Sequence, residues 1–151
     1  MDSQILYLTV GSIGQDYVGG EFEWPTPGYR TITSAFGMRI HPILKTARFH
    51  NGTDIGAPYG AYVIAVNSGI VTTSSYLSAY GNTIIIDHGG GVCTLYAHAS
   101  ELIANVGDKV ERGQIIMKVG STGLSTGPHL HFGVAINGTY VDPMPYLMGI
   151  N

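Results

Sequence analysis

Two histidines one residue apart, His129 and His131, lie in the run Ser125-Thr126-Gly127-Pro128-His129-Leu130-His131-Phe132 near the end of the chain. Leu130, Phe132, Val134 and Ile136 alternate with them, so the run reads as a strand with both imidazoles on one face and the apolar set on the other. Far upstream, His50-Asn51-Gly52-Thr53-Asp54 sets a histidine and a carboxylate four residues apart. On a helix these would share a face, but Gly52 and the following Gly56-Ala57-Pro58 argue for a loop leading into a short strand. A catalytic zinc site takes three histidine or carboxylate ligands and keeps a fourth position open. His50, Asp54 and one histidine of the 129/131 pair supply that set. Two neutral imidazoles and one carboxylate leave a dication with net positive charge, enough to polarise a carbonyl and to bring the pKa of a bound water from roughly 15.7 toward 7. Hydrolysis also needs groups that take and give protons near neutrality. The unligated histidine of the pair and His98 suit that work, since free imidazole titrates near pH ~6.5.

The elements that must position these groups are nearly all β. Two prolines and a glycine in Trp24-Pro25-Thr26-Pro27-Gly28 force extended and turn geometry, and the β-branched run from Arg30 to Phe36 follows. Residues 43 to 49 show no pattern and read as an exposed loop. Four strands come next, at 61–66, 69–75, 82–87 and 92–97, the last two joined by His88-Gly89-Gly90-Gly91, a hairpin turn in which His88 reads as solvated. Gly60 to Val66 can be laid over Gly113 to Val119, a weak repeat that suggests duplicated hairpin units. Residues 142 to 148 carry the one helical signal, with Asp142 as cap and Pro143 at the first position. The expected fold is all-β and, from its hairpins, mainly antiparallel: a β-sandwich or barrel-like sandwich with duplicated hairpin units.

Composition narrows the function classes. The 151 residues are 44% hydrophobic and 11% charged with 22 glycines, a turn-rich globular composition with too few charges for disorder. Net charge is -3 and no Lys/Arg cluster exists, so nucleic acid is not an expected partner. The single cysteine, Cys93, sits in an apolar strand-like run and reads as a small buried hydrophobe. No run approaches the ~18 apolar residues of a membrane helix. Residues 1–22 show no sustained period and carry four glycines, as a linker or edge segment would; the domain proper is expected over 23–151. The N-terminus, with an acidic residue where a signal peptide has basic ones, is no export signal, which leaves release by another route or a fragment of a longer exported chain.

Several segments taken in order carry a resemblance. Ser34 to Ile43, His50-Asn-Gly-Thr-Asp54, Tyr80-Gly-Asn82, Asp87-His-Gly89, Tyr96-Ala-His98, Gly120-Ser-Thr-Gly123 and Ser125 to Phe132 resemble the signature segments of the lysostaphin- or LytM-type zinc metallopeptidases, which are peptidoglycan endopeptidases. The resemblance implies one zinc ion held by His50, Asp54 and His131, with His98 and His129 in catalysis and His41 near the mouth of an open groove in a substrate or supporting part. It implies hydrolysis of stem or cross-bridge peptides by a monomer outside the cytoplasm, in the wall or periplasm. The alternative is a wall-binding or amidase-activating module of the same fold without catalysis. Ala99 after His98, Gly133 after the His-Leu-His-Phe segment, and an aromatic 57–62 loop depart from the family's usual residues at groove walls.

Overall fold

The computed structural model describes residues 16–40, 43–45 and 47–149, and the statements below concern these. Twelve strands are present: β1 (Thr31–Ser34), β2 (Gly37–Ile40), β3 (Ala47–His50), β4 (Thr53–Gly56), β5 (Tyr62–Ile64), β6 (Gly69–Tyr76), β7 (Asn82–Asp87), β8 (Val92–Leu102), β9 (Lys109–Val110), β10 (Ile115–Val119), β11 (His129–Ile136) and β12 (Thr139–Val141). A 3-10 turn, Ser78–Tyr80, and one short helix, α1 (Met144–Leu147), complete the set. All pairings are antiparallel, as the alternation in the sequence predicts. The main sheet runs β1-β4-β11-β8-β7-β6-β9, with β12 on β11 and with β5 and β10 paired beside β8.

The two matched heptads of the sequence repeat pair with each other, Ile115 opposite Ile64 and Lys118 opposite Tyr62. The central strands are covered on both faces. Ile84, Ile86, Tyr96, Leu130, Phe132 and Val134 point into the larger core, and Ile85, Cys93, Leu95, Ala97 and Ala135 into a smaller one. Cys93 is buried, and burial pushes its thiol up to about 12, so it is inert as the sequence implied. Phe22 joins the larger core and the backbone of Glu23 bonds that of Val66, tying the entry of the chain to the sheet.

Two expectations fail. The 43–49 stretch was expected as an exposed loop, but its second half is β3, paired with β2 in a separate two-stranded ribbon with Gly37 opposite His50 and Met38 opposite Phe49. Met38 and Phe49, which stand opposite each other, are both exposed, so this pair adds no core face to read; an edge-to-face contact of Phe49 with Phe36 at 5.0 Å steadies it. His88 is also not solvated. It is fully buried and closes a directed chain of hydrogen bonds: Val66 N–H donates to Tyr96 O, Tyr96 O–H to Thr94 Oγ1, Thr94 O–H to His88 Nε2 and His88 Nδ1–H to the Ser68 carbonyl, at 3.1, 2.8, 2.7 and 2.7 Å. The neutral ring is the only form that accepts and donates in this way.

Burial drops His88 to about 4 against its ordinary 6.5, outweighing the Ser68 carbonyl. The unfolded chain therefore takes up a proton that the folded chain refuses as pH falls below 6.5, and stability from this group declines by about 1.4 kcal/mol per unit, or about 3 kcal/mol by pH 4. Urea denaturation at pH 7.5, 5.5 and 4.5 reads this slope. His88→Gln should be less stable at pH 7.5 yet lose less on acidification than the parent chain.

Candidate metal centre

Register brings the first two groups together. In the β4–β11 pair Asp54 stands directly opposite His131, and His129 opposite Gly56. Side chains at such cross-strand positions start ~5 Å apart on one face. His50 ends β3, and the bend at Asn51-Gly52 returns the chain over the same face four residues before Asp54. Glycine at 52 is what permits the return. A Cβ there would collide with the Phe132 carbonyl oxygen and would stand 2.9 Å from His131 Nε2.

The resulting triangle is tight. Asp54 Oδ1 lies 3.2 Å from His50 Nε2 and 3.0 Å from His131 Nδ1, and the two nitrogens are 3.1 Å apart. All three residues are buried. His50 Nδ1–H donates to the Ala35 carbonyl at 3.0 Å, so its Nε2 carries a lone pair toward the others. Ligands about 2.0–2.1 Å from a tetrahedral zinc ion stand ~3.3 Å apart, which nearly matches these edges. His131 Nε2 is buried with no hydrogen-bond partner among the described residues, so the Nδ1 edge facing the carboxylate is the productive one. The donor set and its spacing fit zinc.

Electrostatics agree with that fit. Burial by itself raises the Asp54 carboxyl, but its close contacts with the His131 and His50 ring nitrogens outweigh burial and hold the group well below the usual carboxylate range. Burial lowers His131 against the pull of Asp54. Anionic aspartate beside neutral imidazole is the protonation pattern that a cation requires.

His98 and His129 face the triangle from its open side. Their ring centroids are 4.8 Å apart, and His129 Nε2 is 3.7 Å from Asp54 Oδ1. His98 Nδ1–H donates to the Thr122 carbonyl at 2.7 Å and His129 Nδ1–H to the Gly127 carbonyl at 2.9 Å. A carbonyl can only accept, so in the neutral ring of either histidine it is Nε2 that carries the lone pair. Burial lowers His98 to about 4 despite the Thr122 carbonyl, keeping it neutral around pH 7. The structure thus gathers His50, Asp54, His98, His129 and His131, while His41 lies outside the described residues. Sequence reasoning gave the tyrosines no part, yet the Tyr80 ring packs on His131 at 5.5 Å. It also missed Gly52, for which the only signal was a glycine between the two upstream ligands.

Comparison with known proteins gives a consistent result. The model of peptidase family M23 matches residues 48–143. A DD-carboxypeptidase/endopeptidase, Mpg, of Neisseria meningitidis is 48% identical over 116 residues, which are 77% of this chain and 27% of that protein. The chain thus spans about a quarter of the length of the curated relatives it matches. Among solved structures, a zinc-containing peptidase of Vibrio cholerae superposes with a TM-score of 0.77 at 38% identity, covering 83% of this chain and 40% of that one. The catalytic domain of lysostaphin from Staphylococcus simulans gives 0.72 at 34% identity, covering 79% of this chain and 92% of that one.

If the triangle holds zinc, His131→Ala and Asp54→Asn purify without it, as elemental analysis would register, while the parent chain carries one ion. Gly52→Ala, which leaves every ligand in place, should weaken zinc at least about tenfold in a chelator competition, by displacing His131 or the turn.

Proposed function

The chain belongs to peptidase family M23, and on that premise we propose that it is a zinc-dependent endopeptidase hydrolysing peptide bonds in peptidoglycan. The observation that carries this reading is the buried triangle of His50 Nε2, Asp54 Oδ1 and His131 Nδ1 with His98 and His129 on its open side. His50, Asp54 and His131 are the proposed ligands. When bound, zinc supplies Lewis acidity, polarising a substrate carbonyl and acidifying water.

The remaining chemistry falls to His98 and His129. Each holds its Nδ1–H on a carbonyl behind the ring, so that in the neutral form Nε2 is the nitrogen left to accept a proton. One accepts the proton that water gives up, and the resulting imidazolium is a donor for the leaving amine. The ring that took the proton gives it to the leaving amine, and the second ring, 4.8 Å away, accepts a hydrogen bond through Nε2 that orients the water or the amine. An imidazolium beside the developing oxyanion also stabilises it by charge. Presence of all five groups weighs against a module that only binds wall or activates an amidase.

The scissile bond is proposed as one between D-amino acids in the stem cross-link, because Mpg, at 48% identity, is named a DD-carboxypeptidase/endopeptidase, whereas the lysostaphin domain stands at 34%. The catalytic unit is proposed as residues 23–151 acting as a monomer, outside the cytoplasm where peptidoglycan lies, with 1–22 as linker or edge segment.

Purified walls decide this. Zinc-loaded protein should release monomeric stem peptides from walls with direct cross-links, seen by mass spectrometry, and far less from glycine-bridged walls. Activity of His131→Ala equal to the parent would sink the metal mechanism, and cleavage confined to glycine bridges would sink the bond assignment.

A further inference from the structure

His98 occupies an unusual backbone position. Its φ is 66°, in the left-handed region that strains a non-glycine residue. It stands where β8 changes partners: residues up to Ala97 pair with β11, and from Ala99 onward the strand pairs with β10. A left-handed residue at this junction turns the imidazole toward the metal ligands, and the surrounding structure must hold it there.

Thr122 makes the contacts that do so. Its carbonyl accepts His98 Nδ1–H at 2.7 Å. Its hydroxyl donates to the Ala99 carbonyl at 2.7 Å, which also accepts from Asn82 Nδ2 at 3.0 Å, and itself accepts the Asn82 backbone N–H at 3.1 Å. The Thr122 backbone packs so closely on Gly81 that a Cβ there would stand 2.5 Å from it. One residue therefore clamps the strained peptide next to His98, the start of β7 and the ring nitrogen of His98 itself.

We propose that Thr122 is a positioning residue for catalysis: through its hydroxyl it fixes the carbonyl that sets the tautomer and direction of His98, so that Nε2 faces the scissile bond. This rests on the peptidase reading. The hydroxyl, not the methyl, carries the function, because three segments meet at Oγ1. Loss of that anchor frees the 120–124 loop to carry its carbonyl away from Nδ1, and His98 then samples the other tautomer.

Long-range 1H–15N NMR of the zinc-loaded parent chain should show His98 as the Nδ1–H tautomer; an Nε2–H tautomer overturns the proposal without any variant. Thr122→Val should mix the His98 tautomers and lower kcat on cross-linked muropeptide dimers roughly 10- to 100-fold, with KM within about twofold and one zinc retained. Thr122→Ser should restore both tautomer and kcat. Parent-like tautomer and kcat in Thr122→Val, or a Thr122→Ser variant as impaired as valine, overturns it. Should Thr122→Val not fold, the parent tautomer and Thr122→Ser still decide. If the parent chain hydrolyses no wall at all, the peptidase reading fails, while the tautomer measurements still judge the role of Thr122.

Discussion

Three acceptor atoms forced within 3.0–3.2 Å of one another in a buried site are the constraint on which the rest of this structure turns. His50 cannot relieve the crowding, because its one N–H is committed to the Ala35 carbonyl. His131 Nδ1 lies between a lone pair and a carboxylate, and its other nitrogen finds no partner among the described residues. A shared proton satisfies such a cluster partly, whereas a divalent cation satisfies all three atoms at once and offsets the desolvated carboxylate. The site is thus organised around a positive charge. The close approach of Gly52 to β11 is the structural cost of keeping the triangle that small.

What holds the triangle is hydrophobic register. A one-residue slip of β11 would turn His131 into the larger core and Leu130 and Phe132 toward the ligands. That slip is prevented by Leu130, Phe132 and Val134, buried in one core with Ile55 of β4 and Tyr96 of β8 on the neighbouring strands. The second core, with Ile85, Leu95 and Ala135, locks the opposite face of the same strands. The spacing of the three groups is therefore set largely by apolar residues on the face away from them. The chain from Val66 to His88 adds direction to this core, since every donor in it has one acceptor.

The parts of this arrangement that follow a period of two were legible in the sequence. The facing of His129 and His131, the strand over 82–87 and the antiparallel class all come from alternation or glycine-loaded turns. Which histidine of the pair meets Asp54 was not legible from alternation, because both point the same way; only family resemblance separated them. The β2–β3 ribbon escaped because its apolar pair, Met38 and Phe49, projects to solvent and marks no core face. His88 escaped because its partners, Ser68 and Thr94, come from other strands, and a polar residue in a glycine turn looks solvated until those strands assemble. The left-handed backbone at His98 had no signal, since histidine gives none of the warning that glycine would at such a position.

The two halves of the site are held by different parts of the molecule. The ligands depend on the pairing of β4 with β11 and on the bend after β3, all within or beside the sheet. His98 and His129, the proposed proton carriers, lean instead on one loop, residues 120–128, which supplies the carbonyl acceptors for both. That loop is braced internally by Ser121 donating to Ser125 at 2.9 Å and externally by Leu124 N–H donating to the Ala79 carbonyl at 2.8 Å. Tyr80, adjacent to that anchor, packs on His131, so the loop and the ligand set meet at the 3-10 turn. Strand register can hold ligands to within a few tenths of an ångström, but it sets side-chain positions only in steps of two residues. Proton transfer needs a chosen tautomer as well as a position, and carbonyl acceptors on a braced loop supply that choice where a strand cannot.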